Sequence, residues 1–125
     1  MEGTHKNLIV WKESILLVKQ VYQFCASFPS YETYALSDQI RRSSTSIPSN
    51  IAEGYGRGTD NEILHFLHIA LGSANELDTQ LILALELGYI SKDLYDDAET
   101  RISSIIRMLR SLINKRKENG ETPKH

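Results

Sequence analysis

Apolar residues recur along this chain in steps of three and four, and nowhere does a strand's alternation run long enough to compete. Leu8, Trp11, Ile15, Val18, Tyr22 and Cys25 follow alternating steps of three and four. A second line lies beside them: Val10, Leu17, Val21, Phe24 and Phe28. Two adjacent stripes predict a helix over about 8–28 that is buried on a broad face. Phe28-Pro29-Ser30 should end it, since the residue before a proline is pushed out of helical geometry. Ile63, Leu67, Ala70, Ala74, Leu77, Leu81 and Ala84 form an unbroken heptad seam. That predicts a helix over 60–87, with Thr59 and Glu62 spaced as a capping box and Gly88 as a left-handed stop. Small residues, Ala70, Gly72, Ser73 and Ala74, fill the middle of the seam, so the tightest helix crossing is expected there. A further seam, Tyr95, Ala98, Ile102, Ile105, Leu109 and Leu112, predicts a helix over 91–116. Ser91 should cap it, flanked by Ile90 and Tyr95 at staple positions. Residues 117–125 are expected to fray.

The segment 36–56 is patterned differently. Leu36, Ile40, Ile47 and Ile51 make a thin apolar line, and Gln39, Ser43, Ser46, Asn50, Glu53 and Arg57 make a polar one beside it. Pro48 falls inside and should bend the helix or split it; one bent helix is expected. Gln39, Ser46 and Asn50 demand specific hydrogen-bond geometry, which a solvated face does not need. Arg42 and Glu53 stand three turns apart, so their partners are expected elsewhere: near Glu32, on Glu76, or on another subunit. Three readings follow: a buried polar network that sets helix register, a subunit or ligand contact compatible with it, and a solvated surface. Together the four segments predict an all-α fold, an antiparallel up-down-up-down four-helix bundle.

Composition narrows the class. The 125 residues suit one domain, and its three prolines suit long helices. No apolar run approaches the ~20 residues needed to span a bilayer. The N-terminal MEGTHKNLIVWKE has no signal-peptide core, which gives the expectation of a cytoplasmic protein with no membrane partner. Cys25 is the single cysteine, so no disulfide forms within the chain. The net charge of −2 is unevenly spread: residues 58–100 carry −8 and residues 101–125 carry +5. The chain is therefore no general polyanion binder, although a local basic surface is compatible with that distribution.

Candidate chemistry is sparse. Glu62-x-x-His65, with His68 one turn on, resembles half of a di-metal motif, but a bundle-core metal site needs a second copy and none exists. Cys25 sits on an apolar seam and reads as a small packed hydrophobe rather than a nucleophile. Ser43-Ser44-Thr45-Ser46 has no nucleophile elbow or phosphate loop around it. Gly54-Tyr55-Gly56-Arg57-Gly58 has the composition of a turn, without a preceding strand or the spacing of a nucleotide loop. No catalytic residue, metal, cofactor or small-molecule substrate is expected.

The run from Gln39 to Gly54, QIRRSSTSIPSNIAEG, resembles the signature of the bacterial 23S rRNA intervening-sequence proteins. Val10-Trp11-Lys12, Phe28-Pro29, the Glu32 to Leu36 approach, Gly56-Arg57 and Ala70 to Leu77 match as well, so the resemblance spans about residues 8–113. Some members are encoded inside insertions in 23S rRNA genes. The resemblance implies a four-helix bundle assembled into a homopentameric ring. A similar bundle, the accessory protein of diversity-generating retroelements, binds nucleic acid and a reverse transcriptase through a basic surface. Ala35 stands where the family commonly has glycine, and Ser43 and Ser44 where alanines are common. The acidic stretch at 58–100 departs further from a basic exterior.

The expected function is thus that of a non-catalytic, oligomeric binding or scaffold protein whose partner is RNA or a ribonucleoprotein. The alternative is a protein–protein adaptor with no nucleic-acid role. Gln39, Arg42, Ser46, Asn50, Glu53, Arg57 and Glu76 are the candidate interface or polar-network residues. Arg41, Arg107, Arg110, Lys115, Arg116 and Lys117 are the candidate nucleic-acid contacts.

Overall fold

A computed structural model describes residues 4–121. Four α-helices account for most of it: α1 Ile9–Ala26, α2 Leu36–Arg57, α3 Asp60–Glu86 and α4 Lys92–Glu121. Each helix packs on its neighbour in the chain, and α1 closes the ring against α4. Short connections reverse the chain at every step, giving the up-down-up-down bundle that the seams predict. No strand occurs among the described residues.

The ends are set by local chemistry. The Thr59 hydroxyl accepts from the Glu62 amide at 3.2 Å and donates to the Glu62 carboxylate at 2.9 Å. The box is thus closed through the side chain rather than through the Thr59 backbone amide. Gly58 turns α2 into α3 at φ +88°, and Gly88 ends α3 at φ +80°, where the Tyr89 amide reaches back to the Ala84 carbonyl at 2.8 Å. That six-to-one bond is the Schellman stop. Ser91 caps α4 by accepting from the Leu94 amide at 3.1 Å. α4 stays helical to Glu121, beyond the fraying expected from 117; residues 122–125 of that expected tail lie outside the described residues.

α2 runs unbroken through Pro48, which is buried. Proline has no amide hydrogen, so the carbonyl one turn earlier loses its partner. In the preceding turns Ser43, Ser44 and Thr45 donate their hydroxyls to the carbonyls of Ile40, Arg41 and Arg42. Such back-bonding supplies local geometry that tolerates the proline.

The core takes Leu17 and Val21 from α1, Ile40, Ile47 and Ile51 from α2, Leu67, Leu77 and Leu81 from α3, and Ile102, Ile105 and Leu109 from α4. The two α1 stripes are covered unequally. Val10, Leu17, Val21, Phe24 and Phe28 are buried, but Ile15 is 42% exposed and Tyr22 45%. The stripes lie roughly 100° apart around the helix, and a neighbour on each side of α1 cannot cover both.

Of the small residues in the middle of the α3 seam, one faces away from the contact. Ala70 and Ala74 are fully buried, yet Gly72 faces outward and a Cβ there would meet nothing within 4 Å. The close approach with a measured constraint is Gly54, where a Cβ would lie 2.9 Å from the Phe66 Cβ and 3.3 Å from the Ile63 Cα. α2 and α3 thus approach closely beside the turn that joins them as well.

Candidate functional site

The polar line of α2 lies along its seam with α3, and its members divide by depth. Ser43 is buried and donates to the Gln80 Oε1 at 2.6 Å. Ser46 and Ser73 share a hydrogen bond of 2.7 Å, and the Asn50 amide donates to both the Ser46 carbonyl and its hydroxyl, at 2.8 and 2.9 Å. These bonds form a register network between α2 and α3. Of its α3 members, the sequence marks Ser73 only as a small packing residue and does not mark Gln80. Only their faint periodicity opposite the α2 line could have found them.

The charged members do not enter that network. Arg42 pairs with Asp38, one turn back on its own helix, at 2.9 Å, with its side chain 80% exposed. Glu53 pairs with Arg57, likewise one turn away, at 2.9 Å. Glu76 is exposed and Gln39 is exposed. The expectation that Arg42 and Glu53 find partners on other elements is corrected for the single chain. The acid and base that each requires lie four residues away on the same helix, and of these partners Arg57 reaches on to Glu62 of α3 at 3.4 Å.

The basic residues also divide. Arg41 donates to the Thr33 carbonyl at 2.8 Å, bracing the α1–α2 connection. Arg116 bonds Asp60 at 2.8 Å and lies over the Tyr55 ring, joining α4 to the α2–α3 turn. That carboxylate contact raises its guanidinium pKa further above the ordinary value. Arg107, Arg110, Lys115 and Lys117 are exposed. None of these four makes a hydrogen bond or ion pair among the described residues.

At the opposite end of the bundle, Glu32 accepts from the Leu36 amide at 3.2 Å and from the Tyr89 hydroxyl at 2.7 Å. One carboxylate therefore caps α2 and ties the α1–α2 connection to the α3–α4 connection. Hydrogen bonds to Tyr31 and Glu32 push the Tyr89 phenol well above its usual pKa.

The residues considered for catalysis are engaged structurally. Cys25 is buried, burial pushes its thiol pKa up, and its thiol lies 3.9 Å from the Ser37 carbonyl. Glu62 is held by Thr59 and Arg57, and His65 stands edge-on to Phe66. Among the described residues no three His, Cys, Asp or Glu side chains are grouped as a metal ion requires. No helix is long and apolar enough to cross a membrane.

Two apolar surfaces remain uncovered. Trp11, Ile15 and Val18 of α1 line a groove of about 310 Å³ with Thr45, Pro48, Ser49 and Ala52 of α2. On the other flank of α1, Ile9 and Val10 line a groove of about 350 Å³ with Met108 and Leu112 of α4.

Comparison with known proteins places this architecture. The family model described as 23S rRNA-intervening sequence protein matches residues 6–111. A crystal structure described as a protein with unknown function from the S23 ribosomal protein family of Bacteroides thetaiotaomicron superposes with a TM-score of 0.79. It is 27% identical, and the match covers 85% of this chain and 96% of that one. No curated protein matches the chain.

Proposed function

The chain belongs to the 23S rRNA-intervening sequence protein family, and from that premise we propose that it acts as a non-catalytic homo-oligomer that binds RNA or a ribonucleoprotein. The observation that supports assembly is the uncovered strip Trp11, Ile15, Val18 and Tyr22, with Pro48 and Ala52 beside it. Each exposed apolar area forgoes about 25 cal/mol per Å². A second copy laid on this face removes that cost. Assembly into a ring, five-fold as the resemblance implies, would also repeat any weak contact around the particle and raise avidity.

The test is mass in solution. Light scattering should give a whole multiple of the 14.2 kDa chain, and Ile15→Lys should release the monomer while leaving the helical content intact. A wild-type protein that is monomeric at micromolar concentration removes the assembly. RNA association is tested separately, by co-purification from native lysate with and without nuclease. A partner lost on nuclease treatment supports RNA. A partner set indifferent to nuclease leaves an adaptor between proteins.

A further inference from the structure

The basic half of α4 contains one place where unpaired cations converge on a cleft. Arg110, Ile113, Asn114 and Lys117 of α4 face His68 and Leu71 of α3 across a cleft of about 130 Å³. The α4 residues stand at 110, 114 and 117, one helical face. His68 and Leu71 stand one turn apart on the facing helix. Ile113 is 4% exposed and forms the floor, while His68, Arg110, Asn114 and Lys117 stand at the rim in water.

Among the arginines, the state of Arg110 sets this cleft apart from most of the surface. Arg42, Arg57, Arg101 and Arg116 each hold a carboxylate, and Arg41 holds a carbonyl. Arg107 and Arg110 are the two arginines among the described residues that hold nothing. Lys117 and His68 likewise have no hydrogen bond or ion pair. No carboxylate lines the cleft. Asp60 of α3 is taken by Arg116. Further along the α3–α4 seam Asp78 accepts from Tyr95.

Guanidinium and ammonium supply donors only, and with an imidazole and a side-chain amide beside them they suit an acceptor-rich, negatively charged group. The opening is too small for a folded polypeptide, and its floor is apolar rather than acidic. We propose that His68, Arg110, Asn114 and Lys117 hold a backbone phosphate of a phosphodiester chain, with Arg107 one turn away along α4 available to the next. This deepens the RNA-binding reading and rests on it. Exposed cations hold a single small anion poorly. A strand that offers a phosphate to each cation adds their contributions and releases counterions with each contact.

Full-length protein is titrated into a labelled oligouridylate at several salt concentrations. Amide signals of His68, Arg110 and Asn114 are followed by NMR in parallel with inorganic phosphate as the probe. The wild type should bind the oligonucleotide with affinity that falls as salt rises. Arg110→Ala and Lys117→Ala should each lower the slope of log affinity against log salt by roughly 0.7, the value for one contact to a single strand. Lys12→Ala with Lys19→Ala, a larger loss of charge placed on α1, should leave the slope unchanged. Thermal melts of all variants should match the wild type, because every substituted side chain is exposed. If the oligonucleotide binds and the Arg110 and Lys117 variants keep the wild-type slope, the cleft is overturned and the RNA reading stands. If the wild type does not bind the oligonucleotide even at low salt, the RNA reading falls and the cleft with it. If inorganic phosphate moves the cleft signals and the oligonucleotide does not, the site takes a small anion and the phosphodiester assignment is overturned.

Discussion

Gly54 and Gly72 show how differently one residue type acts in a helix. At Gly54 any side chain collides with Phe66 and the α3 backbone. Gly54→Ala should therefore cost about 1–3 kcal/mol, the usual penalty of overpacking, measured by urea unfolding. At Gly72 the space is open, and alanine has the better helix propensity. Gly72→Ala should raise stability by roughly 0.5–1 kcal/mol in the single chain. Arg42 belongs to a third class: its ion pair with Asp38 lies in water, so Arg42→Ala should change stability by less than about 0.5 kcal/mol. Tyr95 gives the chain an alkaline limit. Burial, reinforced by the hydrogen bond to Asp78, pushes its phenol up to about 12 from an ordinary 10. The folded state therefore holds this proton more tightly than the unfolded state. Its contribution is complete below pH 10 and is lost as pH rises towards 12. Tyr95→Phe should flatten that part of a stability–pH profile.

At the scale of elements, the α2–α3 pair carries the register. Removing the Ser43 hydroxyl leaves the buried Gln80 carbonyl without its donor, a cost of about 1–3 kcal/mol. Replacing both partners, Ser43→Ala with Gln80→Leu, should recover most of it, because two apolar groups demand nothing of each other. A double-mutant cycle by chemical unfolding measures the coupling. The resemblance places alanine at position 43 in related chains, so the serine and Gln80 are best understood as a pair rather than singly. The turn before α3 is held by Thr59, and Thr59→Ala should cost about 1 kcal/mol, the value of an N-cap.

For the whole molecule, a bundle of four helices leaves more apolar surface than its own neighbours cover. Each helix has two packing partners, and α1 carries apolar residues on more than two flanks. Part of the excess lines the α1–α2 groove, whose lining shares no residue with the α3–α4 cleft. Those positions allow assembly through one surface and ligand binding through another. Ile15→Lys and Arg110→Ala should accordingly separate: the first should change mass in solution, the second the salt dependence of oligonucleotide binding.

Periodicity and capping residues determined the helices, their order and nearly all of their limits, because burial at steps of three and four and the chemistry of helix ends are local properties of the chain. The signature run on α2 marked the family for the same reason, since it is contiguous. Tertiary structure decided what local spacing cannot contain. It showed which of two apolar stripes on α1 is the more deeply buried, and that Arg42 and Glu53 close on their own helix. It placed a close crossing at Gly54, and His68 opposite Arg110 and Lys117 across more than forty positions of sequence. Each of these depends on the direction in which one helix faces another, and that is settled only when all four pack at once.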